Sequence, residues 1–577
     1  VGEVGRNMTL FEHDGRILVV DAGLMFPSEE MLGVDLVLPD TTYLKERADQ
    51  IEGIFLTHGH EDHIGGLPFL LRDINPPIYG AALTLGILRA KLEEHRLLAG
   101  AELHEVKDKE SLKLGPFNLS FFHMAHSIPD ALAVMIATPA GRLFYTGDYK
   151  IDNEPVSGPP TDTAHLASVA GGVEVMLGDS TNAEQPGHTP SESTVGKALL
   201  DVIGGSAGRV IVACFASNIH RMQQVVTAAL QCDRMVAFLG RSMVNNMEVA
   251  RRLGHLKVPD SMLVPIDKTD SYPPERIVII STGSQGEPLS ALSLMAAREH
   301  RWIKLEEGDT VVLSASPVPG NESAVRRVIN GLSRIGVRVM APPAYSVHVS
   351  GHASAGPGNE SAVRRVINGL SRIGVRVMAP PAYSVHVSGH ASAGDLQDML
   401  KVIRPQWLIP CHGEHRMLAT HIRLAEEIGL PANRTILPED GDVLELFEGE
   451  LKRVDRIDAG YVFVDGLGIG DVRDVVLRDR RLLADDGVIV CVVTIDAQTG
   501  ELLAGPDVIT RGFVYEDQAS EFLEDAKDEI YDALEALADD EITDWAAIRR
   551  AVRKSLGKFV WKRTGRRPII LPVVMEV

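Results

Sequence analysis

The chain has 577 residues, 45% of them hydrophobic and 24% charged, with a formal net charge of −22. A single hydrophobic core stops growing near about 250–300 residues, so two or three domains are predicted, and the composition excludes fibrous and disordered classes in favour of an ordinary soluble globular protein. The acidic sum argues against a polyanionic partner, yet Lys and Arg outnumber Asp and Glu by 21 to 16 over residues 184–394, so positive charge gathers in the middle of the chain.

No run of about 18 apolar residues occurs, which excludes a transmembrane helix, and the first residues lack the basic and apolar segments of a secretory leader. The chain opens at Val1 and not at Met, as expected where a leading segment precedes it. Cys214, Cys232, Cys411 and Cys491 lie in or beside apolar segments without zinc-ribbon spacing, which predicts reduced core thiols in a cytoplasmic protein.

Residues 1–180 read as short strands joined by loops, with few helices: Met8–Phe11, Ile17–Val20, Ile54–Leu56, Leu143–Tyr145 and Val175–Leu177 are apolar or β-branched runs. Several end directly in polar residues, where an α/β sheet places its chemistry. From about 184 the rhythm becomes strand, loop, helix: Val210–Ala213 then Ile219–Leu230, Met235–Leu239 then Met243–Leu253, Ile277–Ile280 then Leu289–Arg298. That alternation predicts a parallel α/β domain. Beyond 395 come a strand at Trp407–Pro410, a boundary near Asp455–Gly460, and a small α/β module over 460–577 with a strand at Val488–Ile495, an acidic helix around Glu521–Ala538 and a closing strand at Ile569–Val577.

Pro319–Gly356 and Pro357–Gly394 are identical over 38 positions. Repeat families drift, and this pair has not, so the duplication reads as an artefact and not as a repeat architecture. Only one copy is expected to fit the domain.

The strongest chemical signal is His58-Gly59-His60-Glu61-Asp62-His63, directly after an apolar strand and Thr57. Imidazole and carboxylate are the preferred non-thiolate donors of a zinc-type cation, and a His-rich surface loop without a metal is the weaker reading. One loop cannot close two coordination shells. Further donors follow strands: His126 after Leu119–Phe122, Asp148 after Phe144-Tyr145, and His412 after Leu408–Pro410. Singly, each reads better as a hydrogen-bonded turn residue.

The order His-x-His-x-Asp-His, His, Asp, His resembles the metallo-β-lactamase superfamily, whose opening strand-end Asp motif Val19-Val20-Asp21-Ala22-Gly23 resembles. Val1–Met8 and Ser350-Gly351-His352-Ala353-Ser354, repeated as Ser388-Gly389-His390-Ala391-Ser392, resemble the bacterial ribonuclease J family, and the likeness covers almost the whole chain. The resemblance implies a metallo-β-lactamase αββα sandwich over 1–183 and 395–455, an inserted α/β β-CASP domain over 184–394, and a C-terminal oligomerisation module over 460–577. It implies two Zn2+ per subunit, with Mn2+ or Mg2+ as substitutes: His58, His60 and His126 on one, Asp62, His63 and His412 on the other, and Asp148 bridging. Asp62 would orient the attacking water or act as its base. The motif His, His390 or its copy His352, would protonate the departing 3′ oxygen, with Asp179 in Gly178-Asp179-Ser180-Thr181-Asn182 orienting it; His390 is preferred because its path to His412 is undisturbed.

A 5′-phosphate pocket is also implied, at Ser217, Asn218, His220 and Arg221 ahead of a helix and at Ser388, Gly389 and Ser392. Simple N-capping by Ser217 or Asn218 explains the first group equally well. Ser281–Pro288 lacks the spacing of a nucleotide loop and reads as a turn and helix start lining an RNA channel. The activity expected from the resemblance is zinc-dependent 5′-to-3′ exonuclease and endonuclease action on single-stranded RNA bearing a 5′ monophosphate, in mRNA decay and RNA maturation, by a homodimer or homotetramer working with other RNA-decay proteins. Alternatives are a DNA-processing β-CASP nuclease, a small-molecule metallo-hydrolase, and a non-catalytic RNA-binding scaffold, whose mark would be lost ligands.

Overall fold

The computed structural model describes residues 2–28, 30–287, 289–316, 321–341, 385–466, 468–472, 474–496, 502–513, 519–539 and 545–577. They form two compact units, one of residues 1–28 and 36–462, the other of 29–35 and 463–577.

In the larger unit two sheets face each other. The first runs Thr9–His13, Arg16–Val20, Ile51–Leu56, Ile78–Gly80, Leu103–Glu105 in spatial order; the second runs Trp407–Cys411, Val175–Asp179, Gly141–Tyr145, Leu132–Thr138, Phe117–His123, Ser111–Leu114. Successive side chains of a strand point to opposite faces. Thus Phe55 lies between the sheets, stacked on Phe121 at 4.9 Å, while Ile54 and Leu56 point out to the flanking helices. Val134 and Ile136 of the second sheet join the inner layer, and Ala133 and Met135 pack outward under the helix Ala393–Ile403. Both faces of each sheet are covered, which is why these strands read as continuous apolar runs and not as alternating ones.

This is the αββα sandwich expected. The strand Trp407–Cys411 pairs in parallel with Val175–Asp179, so residues far apart in sequence close the sheet side by side. The apolar helix Ala82–Glu94 is an element that the strand-rich reading of residues 1–180 leaves out; its Leu83, Leu88 and Leu92 are wholly buried.

Within the same unit a five-stranded, wholly parallel sheet carries the strand order Met235–Leu239, Ile277–Ser281, Val210–Ala213, Thr310–Leu313, Arg338–Met340. The expected alternation is present, with one shortening: the third helix spans Ala291–Ala296, because Ser290 caps its start by accepting from Ser293 N–H. Of the duplicated stretch, the helix Glu322–Ile335 and the strand Arg338–Met340 come from the first copy and Val385–Gly394 from the second. Together they supply complementary parts of one copy. His352 lies outside the described residues.

The smaller unit centres on Val488–Ile495, antiparallel to Leu502–Arg511 and parallel to Ile569–Glu576. Ile489, Cys491, Val493 and Ile495 alternate into a core with Ala526, Ile530 and Leu534 of the helix Ala519–Asp539 and Ile548, Val552 and Leu556 of the helix Trp545–Thr564. Among the described residues no helix is long and apolar enough to cross a membrane.

Candidate active site

Polar residues converge where the strands of the two facing sheets end. Asp21 follows Arg16–Val20 and His412 follows Trp407–Cys411, both with left-handed backbones at φ 63° and 50°. Such conformations are uncommon away from glycine and concentrate at functional sites. Asp179 ends Val175–Asp179, and the His58–His63 loop follows Ile51–Leu56.

Hydrogen bonds fix which ring nitrogen faces inward. Asp21 accepts from Thr57 N–H at 2.8 Å and from Thr57 Oγ1 at 2.9 Å, and lies 2.8 Å from His63 Nδ1. A carboxylate accepts, so His63 Nδ1 carries a proton toward Asp21 and Nε2 is the nitrogen turned toward Asp148 and the centre. His126 Nδ1 donates in the same way to Gly389 O at 2.7 Å. Thr57 Oγ1 has spent its proton on Asp21 and accepts from His58 Nδ1 at 3.0 Å, leaving His58 Nε2 bare.

His60 Nδ1 therefore faces two bare nitrogens, His58 Nε2 at 3.0 Å and His126 Nε2 at 3.2 Å. One proton can serve only one of them. Tetrahedral zinc with nitrogen at about 2.0–2.1 Å puts its ligands roughly 3.3 Å apart, so the observed spacing suits a cation. With Asp148 these residues form the first of three clusters whose ligand atoms lie within 4.8 Å of one another.

The second cluster is Asp62, His63, Asp148 and His412. His63 Nε2 stands 3.2 Å from Asp148 Oδ2, and His412 Nε2 stands 3.3 Å from Asp62 Oδ2. That buried His412 nitrogen faces the Asp62 oxygen without hydrogen-bond geometry between them, a pair of donor atoms that a cation could bridge. The third cluster joins Asp148 and His412 to Asp179 and His390, with His390 Nδ1 2.8 Å from Asp179 Oδ2.

Electrostatics follows this division. Burial, reinforced by neighbouring imidazoles, holds His58 and His126 well below the ordinary histidine value, and burial brings His60 down to about 4. These shifts favour the neutral imidazole, the form that binds a cation. Burial alone would raise Asp148 and Asp62, but His412 and His63 hold Asp148, and His63 and His412 hold Asp62, well below the carboxylate range. Conversely, Asp148 leads in lifting His63 and His412 well above theirs against the pull of burial. The site's donor set fits divalent metal.

All seven residues singled out as metal ligands thus meet in one place, with Asp179 and His390 beside them. The residues singled out for a phosphate pocket are more dispersed in role. Asn218 caps the helix Ile219–Gln231 by accepting from Arg221 N–H, and Ser217 is half-buried before it. His220 Nδ1 lies 3.1 Å from Ser157 Oγ and lines a cavity of about 10 Å³ shared with His126 and Glu192. Ser388 Oγ accepts from His390 N–H, and Gly389 packs against the His126 ring so closely that a Cβ would sit 2.8 Å from Cε1. Ser392 caps Ala393–Ile403 and bonds Asn182 and Thr189.

Arg221 corrects the expectation of direct phosphate contact. Its guanidinium is fully buried and donates to Glu192 Oε1 at 2.5 Å, Gln224 Oε1 at 3.0 Å, Ser314 O at 3.0 Å and Val385 O at 2.8 Å. A side chain so saturated holds elements together. Of two orienting residues, Thr57 has no sequence signal beyond its place before the His-rich loop, and Asn7 stands within the Val1–Met8 motif, from which no role is read for it.

Comparison with known proteins agrees with this geometry. The family model described as "Metallo-beta-lactamase superfamily" matches residues 1–210, "Ribonuclease J, beta-CASP domain" matches 207–332, "Zn-dependent metallo-hydrolase RNA specificity domain" matches 374–438, and "Ribonuclease J C-terminal domain" matches 475–577. Ribonuclease J2 of Bacillus subtilis is 39% identical over 578 residues, covering 100% of this chain and 97% of the relative. Ribonuclease J of Mycolicibacterium smegmatis is 42% identical over 580 residues, covering 100% and 96%. A solved structure of a protein of unknown function from Enterococcus faecalis has a TM-score of 0.47 and 16% identity, covering 79% of this chain and 98% of that one. With a relative 42% identical along its full length, this chain belongs to the ribonuclease J family, metallo-β-lactamase-fold proteins with an inserted β-CASP domain.

Proposed function

We propose that this chain is a two-zinc ribonuclease that removes nucleotides 5′-to-3′ from single-stranded RNA with a 5′ monophosphate and also cuts internally, in mRNA decay and RNA maturation. The observation that carries this reading is the pair of His/Asp clusters sharing Asp148, flanked by the His390–Asp179 pair. Imidazole and carboxylate donors favour zinc, with Mn2+ or Mg2+ as substitutes. The names of the relatives supply RNA as substrate class.

Two bound cations would supply positive charge for a phosphate oxygen and acidity for a water near neutral pH. Asp62 orients the attacking water and takes its proton. His390, held by Asp179, delivers a proton to the departing 3′ oxygen, and no covalent enzyme intermediate forms. Ser217, Asn218, His220, Ser388, Gly389 and Ser392 surround the 5′ phosphate, with Arg221 bracing them from behind. The catalytic sandwich takes residues 1–183 and 395–455, the β-CASP insertion 184–394, and the module over 460–577 supports a homodimer or homotetramer. A cytoplasmic setting with other RNA-decay proteins follows from this activity.

The test uses end-labelled single-stranded RNA carrying a 5′ monophosphate, triphosphate or hydroxyl, beside the matching DNA, with and without chelator and with His60→Ala as control. Mononucleotides released from the monophosphate RNA, and lost on chelation and in the variant, are expected. Cleavage of DNA alone would move the reading to a DNA-processing β-CASP nuclease; stoichiometric metal without RNA cleavage would leave a small-molecule hydrolase or a scaffold.

A further inference from the structure

The first residues of the chain lie across the candidate metal centre. Gly2 and Glu3 form β-bridges with Glu414 and Gly413, next to His412. Asn7 then meets the His-rich loop: its N–H donates to Asp62 O at 3.0 Å, and its side-chain Nδ2 donates to the same carbonyl at 3.1 Å and to Asp62 Oδ2 at 3.4 Å, standing 3.0 Å from His63 Nε2. Asn7 O accepts from Gly23 N–H at 2.9 Å, so the amide is clamped on both sides.

Arg6 anchors this segment. Its backbone is left-handed at φ 53°, a conformation that costs a non-glycine residue of order 1–3 kcal/mol unless the surroundings impose it. They do so here: Arg6 N–H donates to Leu24 O, the guanidinium donates to Asp440 Oδ2 at 3.0 Å and Glu3 Oε1 at 2.7 Å, and it lies 4.3 Å over the Tyr461 ring. With its side chain only 4% exposed, Arg6 has the rigidity of a buried residue. The consequence is that Asn7 is delivered to Asp62 by backbone geometry as well as by its amide.

We propose that Asn7 is a positioning residue that aims the Asp62 carboxylate at His412 and so sets the affinity of the second cation, held by Asp62, His63, Asp148 and His412, while leaving the cation held by His58, His60 and His126 nearly untouched. The inference rests on the metal-centre reading. Asn7 makes no contact in the first cluster among the described residues, and outer partners of metal ligands are worth 10- to 100-fold in affinity.

The test is titration of metal-free full-length protein with Co2+, read by visible absorption against a competing chelator, for the native chain, Asn7→Ala and the near-isosteric Asn7→Leu, which keeps the volume and removes the donor without adding charge. Thermal melting reports folding. Two equivalents in the native chain, with the second weakened about 10- to 100-fold in both variants and the first within about twofold, is the expected result. Two equivalents unchanged in either variant would overturn the inference alone, as would equal weakening of both. A native chain that binds no cation would overturn the metal-centre reading, and this inference with it.

Discussion

Nδ1 of His390 lies 2.8 Å from Oδ2 of Asp179, whose other oxygen accepts from Thr181 N–H at 3.0 Å and Oγ1 at 2.8 Å. The carboxylate is thereby fixed before it fixes the imidazole, and its charge leads in raising His390 above the ordinary histidine value despite burial. In the proposed reaction the opposite ring nitrogen would hold the proton for the leaving oxygen.

Replacing His390 by Ala is therefore expected to lower kcat on RNA by about 10²- to 10⁴-fold, the usual worth of a general acid. Metal content should hold at the native value, because His58, His60, His126, Asp62 and His63 remain. Zinc analysis beside single-turnover kinetics checks this; loss of metal in step with activity would make His390 a ligand instead.

The duplicated stretch yields a prediction about length. The helix Glu322–Ile335 and the strand Arg338–Met340 belong to one copy and Val385–Gly394 to the complementary part of the other, so a chain with a single copy contains everything the described fold uses. Deleting 357–394 leaves residues 347–356 to stand where 385–394 stand now. The shortened chain is expected to bind the same number of cations and to keep activity within about twofold, since loop length by itself changes closure entropy only slowly. An inactive but folded product would show that the second copy contributes residues of its own.

Behind the site, Glu192 takes Arg221 at 2.5 Å on one oxygen and Lys150 at 3.3 Å on the other, wholly buried. Arg221 continues to Val385 O, five residues before His390, and Lys150 follows Asp148 by two. Glu192→Gln strands buried cations and is expected to cost about 3–5 kcal/mol of stability. Burial alone would raise the Glu192 carboxyl, but Arg221 and then Lys150 bring it down to about 2. A depressed folded-state value means the stabilisation is complete above the unfolded carboxyl's pKa near 4.5 and is lost as pH falls from there toward 2. Urea unfolding at stepped pH should thus give the native chain a steeper acid loss than the variant; parallel curves would show that Glu192 is not ionised in the folded protein.

Much of this was legible in the sequence because the same feature marks both fold and chemistry. Apolar runs announced Ile54–Leu56 and Val175–Leu177 as strands and the His58–His63 loop after the first as metal donors, whereas the role of Asp179 after the second came from the family resemblance alone. What sequence could not disclose is partnership: nothing in it says that Thr57 meets the His58 ring or that Asn7 holds Asp62. Arg221 misleads for the same reason, since a lone arginine ahead of a helix suggests an anion until Glu192, 29 positions earlier, is found against it. The helix Ala82–Glu94 escaped because it is apolar on most sides, with little contrast between faces for periodicity to register.

Gly23 offers the sharpest steric test of the centre. A Cβ there would lie 1.6 Å from Asp62 O and 2.8 Å from His63 N, both backbone atoms of the ligand loop, so neither can rotate away. Gly23→Ala must push the Glu61–Ile64 turn outward, breaking the Ala22 N–H to His63 O bond and displacing Asp62 and His63 together. A lower melting temperature is expected, with loss of the increment that saturating zinc adds to the native chain, about 2.7 kcal/mol at a hundredfold excess over Kd. Gly205, at the end of the helix Ser193–Gly205, has nothing within 4 Å of a built Cβ, and Gly205→Ala should be neutral or stabilising. If Gly23→Ala melted as the native chain does, with its zinc increment intact, the tight apposition of the Asp21 and His58–His63 loops would not be what shapes the second cluster.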